Sequence, residues 1–219
     1  MTSLYELTDS WEKPARLRIV ENFSGDVLDT NRWLYTLLNG TATGTISNSV
    51  DGGFNHTSTA TGGTSESITT LNDIRQFNNL GSSFICVAKW SGTFGGNRIM
   101  QRGGFKYENS DTFNNGQLAA FSKPTTGNFD IMCASTGQSP ATAGVDTGVD
   151  GQGTDWNSFK GDLKPASFDL SINGVLRATM ADSAYLPTVQ LQPFIYSWGY
   201  QPTAGSMTAS FNYYEAWNH

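Results

Sequence analysis

Turn residues punctuate this chain roughly every 8 to 12 positions, and short runs of two-residue alternation lie between the marks. That spacing leaves no room for long helices or alternating α/β units. It predicts a β-sandwich or barrel. In SFDLSI the apolar Phe168, Leu170 and Ile172 alternate with Ser167, Asp169 and Ser171, so one face of the strand is buried and the other is wet. Asn173-Gly174 follows at once and VLRATM resumes. Asn-Gly between two strand runs signals a hairpin, because a type I′ turn needs positive φ at both central residues. The last run repeats the pattern, with Met207, Ala209, Phe211 and Tyr213 on one side and Thr208, Ser210, Asn212 and Tyr214 on the other. SSFICVAKW, almost continuously apolar, reads as a central strand covered on both sides.

The expected strands are Arg16–Phe23, Arg32–Leu38, Gly44–Asn48, Glu66–Leu71, Ser83–Trp90, Arg98–Phe105, Gln117–Ser122, Asn128–Ala134, Ser167–Ile172, Val175–Met180, Gln190–Trp198 and Met207–Trp217. A dozen strands suit two packed antiparallel sheets, an all-β sandwich of the jelly-roll kind. One helical turn each is expected at Leu71–Arg75 and Thr154–Phe159. Thr41–Gly63, Ser135–Gly153 and Gln201–Gly205 read as surface loops. Six Glu and six Lys are too few for a helix bundle, and 13 Phe, 6 Trp and 8 Tyr are too many for disorder. Residues 1–15 differ in kind: Leu4, Tyr5, Leu7 and Trp11 stand among polar neighbours and Pro14 closes the stretch. The expected division is an N-terminal arm, 1–15, and one sandwich domain, 16–219, with the arm anchoring a partner.

The balance of 13 basic against 19 acidic residues, net −6, argues against nucleic acid and anionic membrane surfaces, which call for clustered Lys and Arg. No apolar run approaches the roughly 20 residues of a membrane span. The N-terminal stretch lacks the pattern of a secretory signal, and Cys86 and Cys133, both in alternating apolar runs, read as buried free thiols from a reducing compartment.

The segment ENFSGDVLDTNRWLY, followed much later by Phe168-Asp169-Leu170, the Asn173-Gly174 turn, Leu186-Pro187, Gln192-Pro193-Phe194-Ile195 and a closing aromatic strand, resembles the concanavalin A-like lectin/glucanase superfamily over about residues 16–217. The resemblance implies a two-sheet jelly roll with one concave face. Such domains without a signal peptide resemble components of bacteriophage virions, so it further implies a virion location and capsid or tail proteins of the same particle as partners. A homo-oligomer is expected.

Laminarinase-type members set their catalytic carboxylates on one strand as Glu-x-Asp-x-x-Glu, where alternation aims all three into one cleft. No Glu here has an Asp two residues on. Glu66, Glu108 and Glu215 could converge only from separate strands. Two histidines, His56 and His219, offer little for a nucleophilic triad or a zinc site. No resident cofactor is expected. Asp146, Asp150 and Asp155 lie in a Gly-rich stretch that offers oxygen ligands to calcium, although turn-forming Asp explains them as well. For sugars, which stack on aromatic faces beside amides and carboxylates, the candidates are Trp156 with Asp155 and Asn157, and Trp198 with Tyr200 and Gln201. Trp33 and Trp90 read as core.

Three functions follow. The first is a non-enzymatic decoration protein of a phage particle, and this is the expectation. The second is a lectin-like module for host surface glycans. The third is an unusual glycoside hydrolase.

Overall fold

The computed structural model describes residues 17–23, 28–40, 43–47, 53–58, 63–72, 76–92, 98–107, 116–123, 127–135, 144–151, 155–201 and 207–219. Alternating apolar residues give each strand one buried face, and two sheets satisfy those faces against each other. Along the chain the strands are β1 (Arg18–Glu21), β2 (Trp33–Asn39), β3 (Thr43–Ser47), β4 (Gly53–Ser58), β5 (Gly63–Leu71), β6 (Ser82–Gly92), β7 (Arg98–Lys106) and β8 (Leu118–Lys123). They continue with β9 (Asn128–Ala134), β10 (Val145–Asp150), β11 (Asn157–Lys164), β12 (Ser167–Ile172), β13 (Val175–Met180), β14 (Gln192–Gln201) and β15 (Met207–Asn218). Among the described residues there is no helix, and none long and apolar enough to cross a membrane.

The eight-stranded sheet runs β13-β12-β11-β6-β15-β4-β3, with β1 also paired to β15. The seven-stranded sheet runs β10-β9-β8-β7-β14-β5-β2. The pairs are antiparallel throughout. The fold is a two-sheet antiparallel sandwich, as the punctuation predicts. Between the sheets lies a largely aromatic core. Trp33, Trp90, Phe84, Phe105, Phe121, Phe129, Phe159 and Phe168 are fully buried in it, and Phe121 stacks on Phe159 with ring centroids 3.9 Å apart. Both cysteines are free and buried there, and burial pushes both thiols well up.

Three expected non-strand segments prove to be strands. β4 and β10 lie in stretches read as loops, and Thr154–Phe159, expected to turn helically, instead delivers Asn157 into register opposite Ala88 of β6. Glycine explains part of this. A Cβ on Gly161 would come within 2.2 Å of the Phe84 ring, so β11 needs a residue without a side chain where it crosses that ring. β6 is central, as expected, but covered on one side only. Phe84, Cys86, Ala88 and Trp90 face the core, while Ile85, Val87 and Lys89 are half-buried on the outside. His56 is a core residue of β4 rather than a loop residue. Its Nδ1 lies 2.9 Å from Ser67 Oγ and its Nε2 3.0 Å from Thr69 Oγ1, and burial pushes its pKa down to about 3.

Candidate functional site

Register carries one line of residues straight across the outer face of the seven-stranded sheet. Thr36 opposes Ile68, Ile68 opposes Tyr196, and Tyr196 opposes Arg102. Arg102 opposes Ser122, Ser122 opposes Asp130, and Asp130 opposes Asp146. Alternation aims these side chains away from the core. Beside the row the same face is apolar, with Leu118, Ala120, Met132, Ala134 and Phe194 clustered against Ile68 and Tyr196. From Tyr196 to Asp146 the row is polar, and polar groups bordered by apolar ground are the composition of a ligand site.

The row differs along its length. Tyr196 is 2% and Arg102 4% exposed, whereas Asp130 is half-buried and Asp146 exposed. The face therefore opens to solvent at the β9–β10 end. At its closed end the Tyr196 hydroxyl donates to Glu66 Oε1 at 2.5 Å, and the Arg102 guanidinium lies 5.8 Å from the Tyr196 ring. At the open end Asn128 Nδ2 donates to both Asp146 oxygens, at 2.9 and 3.2 Å, and the Gly148 amide donates to Oδ1 at 2.7 Å.

Those contacts push two neighbouring carboxyls in opposite directions. Burial, then the charge of Asp146, raise the pKa of Asp130, against an opposing pull from Arg102. The Gly148 amide and the Asn128 side chain lower that of Asp146. Two acids split in this way can divide the work of proton donor and anion. Directly opposed strand residues have Cβ atoms about 4.5–5.5 Å apart. Retaining glycosidases hold their carboxyls about 5–5.5 Å apart. Glu66 is no partner for Asp130, since four strand spacings of about 4.8 Å, roughly 19 Å, separate β5 from β9.

The expected sites disperse. Trp198 is not on a loop: it lies within β14, opposite Glu66 and Met100, and the side chains of Trp198, Tyr200 and Gln201 lie outside the described ones. Trp156 enters β11 on the other sheet, half-buried beside the exposed Asp155. Glu66 and Glu215 stand on different sheets, Glu215 bound to Arg18 at 2.8 Å, and Glu108 lies outside the described residues. So do Leu4, Tyr5, Leu7 and Trp11. Asp146, Asp150 and Asp155 make no three-residue metal-capable group among the described residues. The sequence reading passed over Asp130 and Arg102. The available signal was an acid at an outward position of β9 and a base at an outward position of β7, both strands otherwise largely buried.

No protein-family model and no curated protein sequence matches the chain. Solved structures do. A glycosidic hydrolase superposes with a TM-score of 0.64 at 15% identity, over 91% of this chain and 94% of that one. The Bacillus licheniformis β-glucanase gives 0.58 at 13%, over 92% and 98%. A β-1,3-1,4-glucanase (lichenase) from a mouse hindgut metagenome gives 0.60 at 14%, again over 92% and 98%. The fold is the β-glucanase jelly roll. Concanavalin A-like architecture is thus what the resemblance implied. The expectation of a non-enzymatic phage decoration protein is corrected: the three solved structures just named, each matched over more than nine-tenths of both chains, are a glycosidic hydrolase and two β-glucanases. This chain shares the β-glucanase scaffold but lacks the Glu-x-Asp-x-x-Glu strand, so a two-carboxylate hydrolysis would have to use other carboxylates.

Proposed function

We propose that the protein is a polysaccharide-cleaving glycoside hydrolase whose substrate meets the sheet at the solvent-open end of the row, at Asp130 and Asp146. The observation that carries this reading is the cross-strand carboxyl pair, with pKa values pushed apart, at the solvent-open end of a polar line across the sheet. Asp130, which holds its proton to higher pH, protonates the glycosidic oxygen as the bond to the leaving sugar breaks. Asp146, kept ionised, attacks the anomeric carbon and forms a glycosyl ester. Water, deprotonated by Asp130, then releases the sugar and restores both groups. The likeness to β-glucanases supports the substrate class without fixing the linkage.

The test is release of reducing ends from mixed-linkage β-glucan, laminarin and a polyuronate by the purified chain. Asp130→Asn and Asp146→Asn are each expected to lower kcat by about 10²–10⁴ while leaving the thermal melt in place. Release that survives both substitutions, or no release from any of the three polymers, overturns the reading.

A further inference from the structure

The edge of a sheet presents backbone N–H and C=O groups that a further strand can pair with, and proteins blunt such edges with charge, proline or shortness. Among the described residues five strands pair on one side only: β10 and β2 in the seven-stranded sheet, and β13, β3 and β1 in the eight-stranded one. Four of these are blunted. β10 carries Asp146 and Asp150 and β13 carries Arg177, all exposed. β1 has four residues, Arg18 and Glu21 among them, while β3 has five and exposes no large apolar side chain. β2 has no such protection. Its seven residues, WLYTLLN, include no charge and no proline, yet Leu34 is 39% and Leu37 47% exposed.

The apolar residues of β2 are also placed symmetrically about Thr36. When two copies of the strand are set antiparallel on a two-fold axis at Thr36, Leu34 faces Leu38, Tyr35 faces Leu37, and Thr36 meets its own copy. Each of these pairings keeps to one side of the sheet. Thr36 belongs to the outward row opposite Ile68, so Leu34 and Leu38 share the outer face, where Leu38 packs against the cluster around Ile68 and Tyr196. Tyr35 and Leu37 alternate to the inner side, where the Tyr35 ring lies 5.7 Å from that of His56. Pairing with β5 is regular from Trp33 to Leu37, and its irregularity, between Leu37 and Asn39, falls at the end of this stretch. A two-fold contact needs a patch that matches itself. The chain has a net charge of −6, so two copies approach with least repulsion along an uncharged strip.

We propose that β2 pairs antiparallel with β2 of a second copy of this chain, about a two-fold axis at Thr36, so that the two seven-stranded sheets become one continuous sheet. The contact covers the exposed leucines of both copies and extends both backbone ladders. β10 lies at the opposite edge of the same sheet, so Asp130 and Asp146 stay open to solvent in the dimer. The pairing does not depend on the cleavage reading.

The test is sedimentation equilibrium of the purified chain from micromolar to hundreds of micromolar concentration, together with disulfide capture of single-cysteine additions. The wild type is expected to approach twice the mass of one chain as concentration rises. Leu34→Lys and Leu37→Lys each enter a two-fold contact twice and charge the edge, so each is expected to weaken association about tenfold or more. Both positions are exposed, and a melting curve on each variant separates lost pairing from lost folding. Directly opposed strand residues bring their Cβ atoms within about 4.5–5.5 Å, so Thr36→Cys is expected to give a disulfide-linked dimer under mild oxidation. Leu176→Cys, on the exposed edge of β13, is expected to stay monomeric in the same conditions, and the native Cys86 and Cys133 are buried away from the reaction. The mass of one chain at every concentration overturns the dimer. Association that survives both lysine substitutions, or capture through Leu176→Cys and not through Thr36→Cys, overturns β2 as its seam.

Discussion

His56 lies inside the sandwich with both ring nitrogens engaged and its charged form disfavoured, so a proton reaches it only when the chain opens. Its pKa in the folded protein, about 3, is below the 6.5 of an unperturbed histidine. Below pH 6.5 the unfolded chain therefore binds a proton that the folded one refuses, and stability falls with pH until about pH 3. Each pH unit inside that window removes up to about 1.4 kcal/mol. Between pH 7 and pH 5 the unfolding free energy of the wild type should drop about 2 kcal/mol further than that of His56→Gln, as read from urea curves. Equal drops would mean that His56 titrates normally and is not sealed in the core. Asp130 works in the other direction. Its raised pKa keeps the proton available to a glycosidic oxygen at higher pH, which is the reason to place the acid there rather than at Asp146.

The β12–β13 hairpin shows how closely an element can follow its sequence. Asn173 and Gly174 have φ of 52° and 78°, the pair of positive values that a type I′ turn requires. Gly174→Ala should cost about 1–2 kcal/mol in a denaturant titration, because a Cβ is disfavoured in that conformation even with open space around it. An unchanged midpoint would show that the turn adapts. The runs read as β9, β12 and β13 have the boundaries of the strands themselves, since Phe129, Ile131 and Cys133 alternate along β9, Phe168, Leu170 and Ile172 along β12, and the Asn-Gly turn sets where β13 begins. β4, β10 and β11 escaped notice for a common reason. In each, an inward position falls to a residue that apolar periodicity does not count, His56, Thr147 and Gly161 in turn. The candidate site was less legible still. Asp130 and Asp146 are sixteen positions apart, and only the β9–β10 register, within a stretch read as loop, makes them neighbours.

On the scale of the molecule, Cys86 and Cys133 lie on the inner faces of different sheets, both sealed and both with thiols pushed well above their ordinary pKa. If the sheets separate only on global unfolding, an aromatic disulfide reagent should label both cysteines at one rate, equal to that at which β-sheet ellipticity is lost. Labelling of one cysteine ahead of the other would show the sheets opening independently. The eight-stranded sheet has a further peculiarity. β15 pairs with β6 along its length, and on its other side it pairs with β4 over Met207–Phe211 and with β1 over Tyr214–Trp217. It alone joins the β13-β12-β11-β6 group to β4-β3 and to β1. During synthesis β1, β3 and β4 leave the ribosome early yet have no seat in that sheet until residues 207–218 follow. The β6, β11, β12 and β13 strands can pair before then, but β1, β3 and β4 cannot join them, so a nascent chain stalled before β15 would display unpaired strand edges to its surroundings.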